Sequence, residues 1–266
     1  MSTLIRDYER FAKEAKEICK GRVYTDHLRR YAYGVDASCY SYLPKVVVKA
    51  EDEREVRRLI RLCQQCGTPF TFRAAGSSLS GQCSSEDVLI VCNDGFKKME
   101  VIDDGKALKC ECGVIGSDAN DLLKPYNRKI GPDPATLATA LVGGILNNNS
   151  SGMCCGTAQN SYKTIRSIRV VLLDGSILDT SDQKSIDQFL KEKPQMVEDL
   201  LQLRKDILAD EELTHLIHHK YKIKNTTGYG LNSLVDFEDI IDIINHLFIG
   251  SEGTLGFVSE VVYNTV

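Results

Sequence analysis

Apolar residues recur at helical spacing near the start of the chain. Leu4, Tyr8, Phe11, Ala15 and Ile18 share one face, and Gly21 ends the run. From residue 45 the pattern becomes strand, helix, strand. KVVVKA reads as a short β-branched strand, EDEREVRRLIRLCQQCG as an amphipathic helix ending at Gly67, and PFTF as the next strand. After a Gly/Ser loop, DVLIVC is apolar almost throughout, the pattern of a strand buried on both faces. Then the period changes. KKMEVIDD and ALKCECG alternate as two arms of a hairpin turning at Asp104-Gly105, and TIRSIRVVLLDGSILDTS repeats that pattern around Asp174-Gly175. ANDLLKPY reads as a short helix, residues 183–219 as a polar helical segment with one Pro, and LGFVSEVVYNTV as a last alternating strand. A βαβ front followed by hairpins predicts an α+β fold in two lobes, because a doubly wound sheet would keep alternating strand and helix. The expected organisation is a helical lead-in over 1–43, a first subdomain over 44–104 and a second over 105–266.

Composition narrows the class without naming a function. With 266 residues, 42% hydrophobic and 26% charged, the chain is ordinary for a globular protein, and disordered or fibrous readings drop out. A net charge of −4 gives no pull toward nucleic acid or an anionic membrane. No apolar run approaches the roughly 18 residues that span a bilayer. The charged, amphipathic start lacks the apolar centre of a signal peptide, so a cytoplasmic protein is expected.

The 10 cysteines raise the question of metal. Cys63-Gln-Gln-Cys66 falls at the end of the amphipathic helix, and Cys110-Glu-Cys112 falls where strand alternation puts both sulfurs on one face. A zinc site needs four converging ligands, and the histidines at 27, 215, 218, 219 and 246 lie far from either pair. The thiols read as small buried hydrophobes, and no metal is expected. His215, His218 and His219 share a helix face beside Lys220 and Lys222, which reads as a solvated polar surface.

Three glycine-bearing segments carry the chemistry. Arg73-Ala-Ala-Gly76-Ser77-Ser78-Leu79-Ser80-Gly81-Gln82 follows a strand directly, and its small residues let successive backbone N–H groups converge on anionic oxygens. Gly131-Pro132-Asp133-Pro134, then Leu141-Val142-Gly143-Gly144 and Asn147 to Gly152, would lay backbone against a planar ligand with amides at its edge. Ile249-Gly250-Ser251-Glu252-Gly253-Thr254-Leu255-Gly256 leads into the last strand. Familiar nucleotide motifs are missing. There is no GxxxxGK[ST], no GxSxG, and the single Gly228-Tyr-Gly230 follows no strand.

Taken together, RAAGSSLSGQ, GPDP, the GG pair, the LLDG hairpin and GSEGTLG resemble the FAD-binding domain of the vanillyl-alcohol oxidase, or p-cresol methylhydroxylase (PCMH), type. The branch it looks closest to holds the D-lactate, glycolate and D-2-hydroxyglutarate dehydrogenases. The stretch TDHLRRYAYGVDASCYSYLPKVVVKA, with Asp36, Tyr40 and Pro44, is similar to that branch's lead-in. The likeness runs from about Val23 onward.

This resemblance implies FAD lying between two lobes. The backbone of Ala75, Gly76, Ser77 and Ser78 would hold its pyrophosphate, assisted by Arg73, Gly81 and Gln82. Pro132, Asp133, Pro134, Thr139, Gly143 and Gly144 would border the isoalloxazine and ribityl chain, and Asn149, Ser150 and Gly152 would continue that wall. Ile168 would lie near the adenine, and Glu252 and Gly253 would close the site. Some relatives link FAD covalently through a His in the pyrophosphate loop; Ser77 stands there and no cysteine supplies the other anchor, so non-covalent FAD is expected. Leu141 replaces the hydroxyl residue that often precedes the Gly pair. The implied chemistry is oxidation of a D-2-hydroxy acid, with an electron-acceptor protein or iron–sulfur module as possible partner. Relatives carry substrate residues in a cap after the last strand; the chain stops at Val266, so the cap is expected to be absent and no catalytic residue is assigned. The alternatives are a flavin-binding electron-transfer module without turnover of its own, and an NADPH-dependent reductase of the UDP-N-acetylmuramate reductase type.

Overall fold

The computed structural model describes residues 6–226 and 228–266, and Leu4 of the first apolar stripe lies outside them. Two sheets form the frame. The first has strands β1 (Val23–Tyr24), β2 (Val46–Lys49), β3 (Phe70–Arg73) and β4 (Val88–Val91) in the order β1-β2-β4-β3. β4 runs parallel to both β2 and β3, while β1 is antiparallel to β2. Every residue of β4 is buried, as its unbroken apolar run predicts.

Three helices serve this lobe: α1 (Tyr8–Ile18), α2 (His27–Ala32) and α3 (Glu53–Cys66). α3 begins at Asp52, whose carboxylate accepts from the N–H of Glu55, and stops at Gly67 with φ +64°. Its stripe of Val56, Leu59, Ile60 and Cys63 packs with Val46, Val48 and Ile90, and Phe11 and Ala15 of α1 join the same core. The lead-in is therefore part of the first lobe rather than a separate piece.

The second sheet is antiparallel throughout: β5 (Met99–Ile102), β6 (Ala107–Glu111), β7 (Ile165–Leu172), β8 (Ile177–Asp179) and β9 (Gly256–Asn264), ordered β5-β6-β9-β7-β8. Both predicted hairpins form. The first turns through Asp103, Asp104 and Gly105, all at positive φ. A boundary at 104 would cut this hairpin in half. Both of its arms belong to the second sheet, so the change of lobe falls between Val91 and Met99.

Helices α4 (Gly116–Leu123), α5 (Val142–Asn147), α6 (Ser161–Thr164), α7 (Gln183–Glu192), α8 (Pro194–Ala209), α9 (Glu211–Lys220), α10 (Ser233–Asp236) and α11 (Ile240–Leu247) complete this lobe. α8 to α11 share a small cluster of their own around Ile207, Ile217, Leu234 and Ile243. The lobes meet along Phe257, whose ring centroid lies 5.0 Å from that of Phe72 and 5.2 Å from that of Phe96. Arg57 Nε of α3 also donates to the carbonyl of Gly175 at 2.9 Å.

Candidate functional site

A cavity of about 830 Å³ opens between the lobes, within the range typical of small-molecule and cofactor sites. One wall is the loop after β3. Gly76 and Gly81 sit at φ +75° and +77°, a conformation that L side chains rarely adopt. Arg73 anchors the loop from beneath: Nη1 donates to the Tyr33 carbonyl at 3.1 Å and Nη2 to that of Val35 at 2.8 Å. The N–H of Ala37 returns a bond to the Gly76 carbonyl at 3.1 Å.

α5 forms the facing wall, and its paired glycines explain how it gets so close. A Cβ on Gly143 would lie 2.7 Å from the Cβ of Cys112, and one on Gly144 would lie 3.2 Å from the Cβ of Ala74 in the loop. The floor is apolar, with Cys92, Cys112, Phe257 and Val258.

Glu252 ties these walls together. Its Oε1 accepts from Asn148 Nδ2 at 2.7 Å and from Gln82 Nε2 at 3.2 Å, while Ser150 Oγ donates to Asn148 Oδ1 at 2.7 Å. Burial pushes the Glu252 carboxyl above its ordinary value, and the two donated bonds only partly oppose that. Its backbone is at φ +53°, uncommon for a residue with a side chain and a mark of local constraint.

The expected residues Arg73, Ala75, Gly76, Ser77, Ser78, Gln82, Pro134, Gly143, Gly144, Ser150, Glu252 and Gly253 all line this cavity. Others take different places. Ile168 lies in the interior of β7 and is packed in the second-lobe core, 1% exposed. Gly81 supports the loop from behind, where a Cβ would meet the Tyr40 ring at 2.8 Å. Asn149, at φ +51°, turns away to donate to the Asn225 carbonyl at 3.1 Å and faces a smaller cavity with Asn160 and His218. Thr139 is exposed and bonds back to the Thr136 carbonyl at 3.2 Å.

Pro132 is buried and does not line the cavity, while Asp133 and Gly152 form a brace outside the wall. Asp133 accepts the N–H groups of Gly152 at 2.9 Å and of Cys154 and Cys155 at 3.2 Å. A Cβ on Gly152 would strike the Asp133 carbonyl at 2.0 Å. Asp133 thus shapes the segment carrying Ser150 and Ser151. Despite the pull of burial, these donors hold its carboxyl below the ordinary value.

Phe257, Lys224 and Thr226, which the sequence pattern does not single out, also line the cavity, as do Asn148 of the Asn147–Gly152 segment and Cys112, which the sequence marks only as half of a cysteine pair. Cys63 and Cys66 sit in the first-lobe core, and burial pushes the Cys63 thiol up to about 12. Cys110 packs in the second-lobe core, but Cys112, just beyond β6, packs with the first lobe, so the pair does not share one environment. Among the described residues no group of His, Cys, Asp and Glu could hold a metal ion, and His215, His218 and His219 are exposed.

Residues 44–181, more than half of the chain, match the sequence profile of a family described as FAD binding domain. The chain belongs to this FAD binding domain family, of PCMH type. As an FAD binding domain it is 23% identical over 253 residues to the D-2-hydroxyglutarate dehydrogenase of Haemophilus influenzae, covering 92% of this chain and 25% of that protein. It is 24% identical to the glycolate oxidase subunit GlcD of Bacillus subtilis, covering 89% and 40% respectively. The chain thus spans between a quarter and two fifths of these relatives.

Solved structures share the fold. Alkyldihydroxyacetonephosphate synthase superposes with a TM-score of 0.65 at 18% identity, over all of this chain and 42% of the other. The BBE-like 1 protein of Physcomitrella patens gives 0.62 at 12%, over 96% and 44%. No helix among the described residues is long and apolar enough to cross a membrane.

Proposed function

We propose that this chain is the flavin-holding part of an oxidoreductase that acts on a D-2-hydroxy acid. The observation that carries the reading is the two-walled cavity, in which the Arg73–Gln82 loop and α5 face each other across the Gln82–Glu252–Asn148 bridge. The residues suit FAD. Backbone and small side chains from Ala75 to Ser78 leave room and N–H donors for a pyrophosphate, and Arg73 adds positive charge. Gly144, Gly253 and the apolar floor of Cys92, Cys112 and Phe257 offer flat surface to a ring system.

Bound FAD supplies a two-electron acceptor at its N5, which suits removal of a hydride from the carbinol carbon of a hydroxy acid. The chain's own contribution is to hold, orient and dry the cofactor. Phe72 and Phe257 exclude water from the floor, and the Glu252 bridge keeps the loop against α5. No side chain in the cavity is assigned as the base for the hydroxyl proton. With Ser77 in the loop and no covalent anchor, FAD is held reversibly.

The relatives named for D-2-hydroxyglutarate and glycolate support the substrate class, and their greater length supports a site that further protein parts complete. The test is the visible spectrum of the chain with added FAD, followed by D-2-hydroxyglutarate, D-lactate or glycolate without oxygen. Bleaching by one of these acids is the expected result. Retained flavin that no acid bleaches points to an electron-transfer module, and bleaching by NADPH alone points to a reductase. A chain that gains no thermal protection from FAD overturns the proposal, and flavin that stays with acid-precipitated protein overturns the non-covalent part.

A further inference from the structure

Two cationic side chains, Arg73 and Lys224, line the main cavity among the described residues. Arg73 is committed to the loop through the carbonyls of Tyr33 and Val35. Lys224 is placed differently. Its Nζ donates to the carbonyl of Ser151, and none of the ion pairs among the described residues includes it. An ammonium carries three donors, so this neutral acceptor leaves its charge intact and two N–H groups available.

The surroundings favour an anion. Lys224 is exposed and lines the cavity together with Thr226 and Ser150. Ser151 is only 6% exposed, lines the cavity, and its Oγ has no hydrogen-bond partner. A buried hydroxyl without a partner is uncommon unless a ligand or water completes it. Lys224 bonds to the Asn147–Gly152 segment of the cavity lining, not to the Arg73–Gln82 loop. A second anionic group, away from the pyrophosphate, fits this corner.

We propose that Lys224 and Ser151 receive the carboxylate of the acid substrate, which makes Lys224 the specificity-determining cation of the cavity. This rests on the hydroxy-acid reading above. Two remaining ammonium donors and one hydroxyl match the two oxygens of a carboxylate, and an alcohol without the carboxylate would leave the charge unanswered.

The experiment loads the full chain with FAD and titrates it with oxalate, a redox-inert carboxylate, following the flavin absorbance. Lys224→Met should weaken oxalate binding by at least about tenfold, the scale of a lost charged hydrogen bond, with FAD affinity little changed. Lys224→Arg should restore most of it, and Ser151→Ala should cause a smaller loss. Unchanged oxalate binding in both Lys224→Met and Lys224→Gln overturns the assignment. So does an equal loss of FAD affinity, which would place the ammonium on the cofactor. A wild-type chain that holds FAD but binds no oxalate overturns the Lys224–Ser151 carboxylate site and leaves the hydroxy-acid reading to the bleaching test; oxalate bound equally by wild type and Lys224→Met overturns the Lys224 role alone.

Discussion

Glu53 and Arg169 meet across the two lobes in a two-pronged ion pair: Arg169 Nε donates to Oε2 at 2.8 Å and Nη2 to Oε1 at 3.0 Å. Glu53 opens α3 in the first lobe, Arg169 lies in β7 of the second, and Ser259 Oγ of β9 adds a third bond at 2.7 Å. Burial acts to raise the Glu53 carboxyl, but the bonds from Arg169 and Ser259 outweigh it and hold the group below its ordinary value of 4.5. A carboxyl lowered in the folded state stabilises fully above its unfolded pKa, and loses that contribution as pH falls through the folded one. Glu53→Gln should therefore cost about 2 kcal/mol near neutrality, with a smaller difference from wild type below pH 4.5. Urea unfolding at several pH values measures both.

Glu252 titrates in the opposite sense. Its carboxyl is raised by burial, so the stability it contributes is complete below 4.5 and is lost as pH rises through the folded value. In the neutral form it does not oppose a pyrophosphate in the same cavity. FAD affinity is expected to fall as pH rises above 4.5 and through the folded value, and Glu252→Gln should flatten that slope. A fluorescence titration of FAD across the range decides it; equal slopes in the two proteins would refute the link.

Gly76 and Gly21 make a matched pair for testing the loop. Both have nearly the same left-handed φ, +75° and +74°, but a Cβ on Gly76 would lie 2.3 Å from Arg73 Nη2, whereas nothing lies within 4 Å at Gly21. Gly21→Ala should cost only the backbone strain, about 1 kcal/mol, with FAD affinity intact. Gly76→Ala adds displacement of the Arg73 guanidinium from the Tyr33 and Val35 carbonyls, and FAD affinity should drop by about tenfold or more. Calorimetric titration of the two variants makes the comparison.

Asp133 offers a test of bracing as opposed to direct contact. Asp133→Ala leaves the N–H groups of Gly152, Cys154 and Cys155 without their acceptor and should destabilise the chain by about 2 kcal/mol. Amide hydrogen exchange should quicken at these positions first. Asp133→Asn retains one acceptor oxygen and should give an intermediate rate.

Much of the frame could be read from the residues because the local signals agreed with one another. α3 has a stripe at helical period, an Asp at its start and a Gly at its end, and β4 has an unbroken apolar run. α11 was not legible: IIDIINHLF is apolar at so many positions that periodicity does not separate a buried helix from a strand. The same limit governs the site. Asn148 and Asn149 are chemically identical neighbours, and only the left-handed backbone at Asn149 sends its amide to Asn225 and leaves Asn148 on Glu252. The resemblance alone places Ile168 near the adenine, and in the fold it packs inside the second-lobe core. Lys224 reaches the cavity through a contact with Ser151, 73 residues away, which no local pattern announces.

β9 sits at the middle of the second sheet, pairing Glu260 with both Glu111 and Arg169, although it is the last of the five strands to be made. The β5–β6 and β7–β8 hairpins have no common partner until it arrives. During synthesis, then, the first lobe's sheet has all its strands while the second waits as two hairpins with open inner edges. Those edges are the stretch of this chain most in need of shielding from pairing with a neighbour before the closing strand slots in.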